Sequence, residues 1–168
     1  MEIILSYSHH PEIYSIAQQL GKKLLEREAV VTTAESCTGG GIAEAITAVA
    51  GSSQWFDCAY IAYANKAKQK LLGVEQSLLD QFGAVSKQVV EQMALGAIEA
   101  SKADYAVAVS GIAGPDGGTA NKPVGTVWIC WHTPKVTISE KFILQGDRQS
   151  VREQAVKISL QQLLHHLS

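Results

Sequence analysis

The stretch AVVTTAESCTGGGI, residues 29–42, decides how the chain is read. Residues 29–34 are apolar and β-branched in a short run, the pattern of a strand buried on both faces. Glu35-Ser36-Cys37-Thr38 then leads into Gly39, Gly40 and Gly41, after which Ile42, Ala43, Ala45, Ile46 and Val49 resume at helical spacing. Strand, glycine-rich turn and helix in that order begin an α/β unit. Ser36 stands at the strand's end and just before a helix, so free N–H groups and the positive end of the helix dipole are expected to face the same space. The glycines would let an anion or a developing oxyanion approach the backbone closely. A plain turn with a Ser or Thr cap reads equally well on spacing alone. The stretch lacks the Gly-Lys-Ser/Thr ending of a phosphate-binding Walker loop.

Outward from this unit the alternation continues. Residues 11–27 place Ile13, Ile16, Ala17, Leu20 and Leu24 on one helical face, with Pro11 suited to the first turn. Strands are expected over 55–62 and 104–110, and helices over 65–72 and 86–101, the latter capped by Ser86. Residues 124–132 and 136–144 read as an antiparallel hairpin turning at Thr133-Pro134-Lys135, and 148–167 as a closing helix. With no linker, repeat or low-complexity tract, residues 1–168 read as one α/β domain, a three-layer α/β/α sandwich with a mixed sheet. The mixing follows because the last hairpin must be antiparallel while the earlier crossovers favour parallel pairing.

Composition narrows the function classes. A chain of 168 residues, 46% hydrophobic, can bury one good core. Its net charge of -2 offers no basic field for nucleic acid; Lys66, Lys68 and Lys70 form too short a cluster. Cys37, Cys58 and Cys130 are three cysteines at spacings that fit neither a disulfide framework nor a zinc site, which points to a reducing, cytoplasmic setting. Residues 1–11 lack the basic start and apolar run of a secretory leader, and no stretch is long enough to span a bilayer. The five histidines, at 9, 10, 132, 165 and 166, lie near the termini or on the hairpin and supply no triad or metal cluster. No metal or cofactor is expected, and a symmetric homodimer is.

Strand ends are where open α/β sheets bind ligands, and three of them carry distinctive residues. The first is Ser36. The second is Tyr63-Ala64-Asn65-Lys66-Ala67-Lys68, where Asn65 is a candidate cap and Lys68 falls in the first helical turn. A cation there opposes the dipole, and partial burial lowers a lysine's pKa further, so Lys68 is a candidate neutral base for the Ser36 hydroxyl. A solvated helix face for the lysines and a packed ring for Tyr63 are the plain alternatives. The third is Ser110 to Gly118, a candidate backbone cradle for phosphate or ribose, or a glycine-rich connection into the hairpin. Arg148, after Gly146-Asp147, is a surface charge or a phosphate ligand. Glu35 reads as a hydrogen-bonding turn residue.

The chain resembles the CinA C-terminal domain family over nearly its whole length. The resemblance rests on Thr33-Ala34-Glu35-Ser36-Cys37-Thr38-Gly39-Gly40, Gly51-Ser52-Ser53, Tyr63-Ala64-Asn65 with Lys68, Gly83-Ala84-Val85-Ser86, Gly111-Ile112-Ala113-Gly114-Pro115, Lys122-Pro123-Val124-Gly125-Thr126-Val127 and Gly146-Asp147-Arg148. Ser110 stands where relatives commonly carry Thr, and Ala64 where Ser is common. Stand-alone members of the family are nicotinamide-nucleotide amidases. The resemblance therefore implies hydrolysis of the carboxamide of nicotinamide mononucleotide to nicotinic acid mononucleotide and ammonia, in pyridine nucleotide salvage. It implies Ser36 as nucleophile, Lys68 as base and Tyr63 as proton relay. Backbone N–H groups of Thr38, Gly39 and Gly40 are expected to hold the oxyanion. Ser53, Asn65, Ser110, Gly111, Ala113, Gly114 and Arg148 are the candidate substrate contacts. The rival readings are a nucleotide-binding module without chemistry, a serine-lysine amidase of another substrate, and a thiol enzyme using Cys37.

Overall fold

The computed structural model describes residues 10–167; the expectations that touch residues 1–9, among them His9, lie outside it. Helix α1 (Pro11–Glu26) leads to strand β1 (Val31–Glu35) and helix α2 (Gly41–Thr47), then a single 3-10 turn, Ser52–Gln54. Strand β2 (Phe56–Ile61), helices α3 (Asn65–Leu72), α4 (Gln76–Phe82) and α5 (Lys87–Ser101), strands β3 (Tyr105–Gly111), β4 (Thr126–His132) and β5 (Thr137–Ile143), and helix α6 (Arg148–His166) complete the order. The sheet runs β2-β1-β3-β4-β5. Its first three strands are parallel and its last two pairings antiparallel, the mixed sheet expected from the sequence.

Side-chain size divides the two faces. Val107, Val109, Val127, Ile129 and Trp131 meet α1, α2 and α6 in one core, whereas Ala34, Ala106, Ala108 and Cys130 meet α5 and its neighbours in the other. The alternation of strand side chains sends the large residues one way and the small ones the other. Alanines on the second face let α5 lie close to the sheet, with Met93 and Val90 filling the remaining gap. β1 is buried along its whole length, as the middle of three parallel strands with a helical core on each face is.

Two local expectations are revised. Asn65 is the first residue of α3, and the cap position is Ala64, with no side-chain cap hydrogen bond. Helix α4 has no counterpart among the expected elements: only Leu79 of its residues is buried, so no apolar period marks it. Ser86 and Asp147 do cap α5 and α6, accepting from Val89 N–H and Ser150 N–H.

Candidate active site

The parallel trio β2-β1-β3 ends on one side of the sheet, and because β1 is its middle member, Ser36 lies between Tyr63 and the Ser110-Gly111 pair. The ladder reaches past the strand ends: Ser36 N–H donates to Val109 O (3.0 Å) and Ala62 N–H to Glu35 O (2.8 Å). A cavity of about 260 Å³ opens here. Of the expected site residues, Ser36, Tyr63, Asn65, Lys68, Ser110, Gly111, Ala113, Gly114 and Arg148 all line it. Residues separated by as much as 112 positions in the chain (148 − 36) are thereby brought to one place.

The centre of the cavity is an amine on a hydroxyl. Lys68 Nζ lies 3.0 Å from Ser36 Oγ, 3.0 Å from Ala62 O and 3.1 Å from Tyr63 O. Its side chain, carried by α3, is only 1% exposed. Among the described residues no carboxylate pairs with it, so burial is uncompensated and pulls the amine below the 10.5 of an ordinary lysine. The geometry suits the neutral form. A neutral amine has two N–H donors for the two carbonyls and one lone pair to accept the serine O–H.

Ser36 is 7% exposed and faces the cavity beside Cys37. The thiol next to it is a poor nucleophile, because burial pushes Cys37 up to about 12. Tyr63 contributes in two ways. Its carbonyl accepts from Lys68, while its phenol, on a residue 59% exposed, accepts from Arg148 Nη2 at 2.9 Å. Arg148 Nη1 reaches Gly114 O at 2.8 Å, so this guanidinium straps the cavity's mouth.

The structure does not bring Thr38, Gly39, Gly40 or Ser53 to this cavity. Ser53 is an exposed residue of the 3-10 turn. Gly39 N–H donates to Ser36 O (3.0 Å), Gly40 N–H to Glu35 Oε2 (3.1 Å) and the Thr38 hydroxyl to the same oxygen (2.6 Å). The two glycine N–H groups assigned to an oxyanion are thus already engaged. Glu35, which sequence reasoning left as a turn residue, is the cause. It is fully buried, and its carboxylate also accepts from Ile42 N–H (3.0 Å) and Ala43 N–H (2.9 Å). The acid occupies the N-terminus of α2, where the orphan N–H groups favour an anion. Gly39 (φ 61) and Gly40 (φ 101) turn the backbone through the left-handed region so that it can wrap the carboxylate. Among the described residues, Cys37, Ala113 and Gly114 line the cavity, and their N–H groups make no hydrogen bond to another residue.

The CinA C-terminal domain profile matches residues 13–167. The nicotinamide-nucleotide amidohydrolase PncC of Pseudomonas putida is 55% identical over 152 residues, 90% of this chain and 95% of its own. That of Escherichia coli (strain K12) is 50% identical over 153 residues, 90% of this chain and 93% of its own. Among solved structures, the competence/damage inducible protein CihA from Agrobacterium tumefaciens superposes with a TM-score of 0.89 at 41% identity, covering 92% of this chain and 94% of its own.

Proposed function

The chain belongs to the CinA C-terminal domain family, and from that premise we propose that it is a nicotinamide-nucleotide amidase, converting nicotinamide mononucleotide and water to nicotinic acid mononucleotide and ammonia. The observation that carries the reading is the 3.0 Å contact between Lys68 Nζ and Ser36 Oγ in a site that gives the amine no carboxylate. A serine hydroxyl is a poor nucleophile until a base takes its proton, and a desolvated lysine is such a base at moderate pH. The names of the relatives at 50% and 55% identity supply the substrate class.

In this mechanism Lys68 removes the Ser36 proton as Oγ attacks the carboxamide carbon. The carbonyl oxygen becomes an oxyanion, held by free N–H groups of Cys37, Ala113 or Gly114 in place of those of Gly39 and Gly40. Tyr63 donates its proton to the departing nitrogen. Its oxygen already accepts from Arg148, so its own proton is free to point at the substrate. Ammonia leaves as the C–N bond breaks, the ammonium of Lys68 returns a proton to the phenol, and water then hydrolyses the acyl-serine with Lys68 again the base. Asn65, Ser110, Gly111 and Gly114 hold the ribose and ring, and Arg148 the phosphate. The assembly is a homodimer acting in the cytoplasm, in pyridine nucleotide salvage.

The test is ammonia release from nicotinamide mononucleotide by the parent protein and by Ser36→Ala, with circular dichroism on both. Release by the parent alone is expected. A folded parent that binds the nucleotide and releases no ammonia would leave a binding module in place of an enzyme.

A further inference from the structure

The turn that carries Ser36 is gripped from two sides by side chains that do not touch the serine hydroxyl. Glu35 holds it from within, through Thr38, Gly40 and the start of α2. Arg152 holds it from outside: Nε donates to Cys37 O at 3.1 Å and Nη2 to Thr38 O at 3.0 Å. Two successive carbonyls of an irregular turn are thus bound by one planar fork. Among the described residues Arg152 makes no ion pair, although Glu44 and Glu153 share the outer groove with it. Its charge is aimed at peptide oxygens.

The consequence lies in peptide geometry. In a trans peptide the carbonyl and the following N–H point in opposite directions. Fixing Cys37 O and Thr38 O therefore fixes the planes of the two peptides that follow Cys37. The Ser36–Cys37 plane is held in turn by Gly39 N–H on Ser36 O. Arg148 and Arg152 are four apart on α6 and so share a face. The first helps to strap Tyr63 and Gly114, the second the nucleophile's turn, and one rigid helix spaces the two.

We propose that Arg152 is a positioning residue for Ser36: it locks the turn so that Oγ stays on Lys68 and the Cys37 N–H stays open to the cavity. This rests on the serine chemistry proposed above. The test compares Arg152→Ala and Arg152→Lys with the parent in three readouts: kcat and KM for nicotinamide mononucleotide, the pH midpoint of kcat/KM, and the rate at which a fluorophosphonate labels Ser36. Loss of positioning by about an ångström is worth up to ~100-fold in rate. Arg152→Ala is expected to lower kcat and the labelling rate by about 10- to 100-fold with KM little changed. The pH midpoint stays put because Lys68 keeps its surroundings. Arg152→Lys, whose ammonium lacks the fork, falls between the two. If Arg152→Ala does not fold, Arg152→Lys still reads the same quantities. A folded variant with parental kcat and labelling rate, or a loss confined to melting temperature or KM, overturns the proposal. If the parent releases no ammonia while labelling still slows in the variants, the deamidation reading fails and the positioning role stands.

Discussion

An ammonium at the position of Lys68 would sit in a buried cavity with no counter-ion, and this sets the sign of every pH effect there. The folded protein holds the amine below the 10.5 of the unfolded chain, so between those two values the unfolded state binds more protons and stability rises with pH. Below the folded value the destabilisation is fully present; above 10.5 it vanishes. Two outcomes follow. The activity should rise with pH along a single ionisation whose midpoint lies below 10.5, read from kcat/KM across a pH series, and a flat profile would remove Lys68 as the base. Lys68→Met, which keeps the length of the side chain, should abolish turnover yet melt higher than the parent at neutral pH, the gain shrinking as pH approaches 10.5. A variant that melts lower at pH 7 would mean that the three hydrogen bonds of the amine outweigh its desolvation. Of the residues at this scale, the meeting of Ser36, Lys68 and Tyr63 in one cavity was legible, because the resemblance groups them and chain order puts them at strand ends; their roles stay proposals. Glu35 and Arg152 were not: nothing in a local window shows that a carboxylate will turn inward to a helix end, or that an arginine 115 residues away will reach Cys37 O.

At the scale of elements, Lys68, the proposed base, is placed by a helix contact that tolerates no side chain. A Cβ on Gly96 of α5 would come within 2.0 Å of Leu72 O at the end of α3, the helix that carries Lys68. Gly96→Ala should therefore push α3 away, costing about 1–3 kcal/mol as overpacking does, and should lower kcat as well because Lys68 moves with its helix. Gly21→Ala offers the contrast. Its Cβ would meet Trp55 Cζ2 at 2.6 Å on the opposite face of the sheet, so stability should fall while kcat of the folded protein holds. Urea unfolding with parallel kinetics separates the two, and equal kcat losses would sink the claim that α3 transmits the first effect. Most of these elements could be read from pattern, since α1 and α5 each bury a regular face and the central strands are short apolar runs buried on both sides. The stretch around α4 could not, with one buried residue to mark it, and the cap of α3 was misread because Asn65 is a good cap by type while the chain begins its helix one residue earlier in register.

For the whole molecule, the decisive feature is that two hydrophobic cores share one sheet, and the cavity sits at the end of the strands that belong to both. Neither helical layer buries its face without β1 and β3, so unfolding is expected as a single transition, with far-ultraviolet dichroism and tryptophan fluorescence coincident. Trp55 and Trp131 lie in the core on the α1, α2 and α6 side and Trp128 packs against the core on the α5 side, so fluorescence samples both cores, as the backbone signal does. A ligand bound at the shared edge then stabilises everything at once. For Ser36→Ala, which should bind without consuming the nucleotide, saturation at about 100 times Kd contributes ~2.7 kcal/mol, or roughly 5–10 °C for a chain of this size. Adding Arg148→Ala to that variant should remove most of the gain for the nucleotide and little of it for the nucleoside, because the guanidinium is assigned to the phosphate. An equal loss for both ligands would move Arg148 from phosphate recognition to the strap across Tyr63 and Gly114, where its two hydrogen bonds already put it.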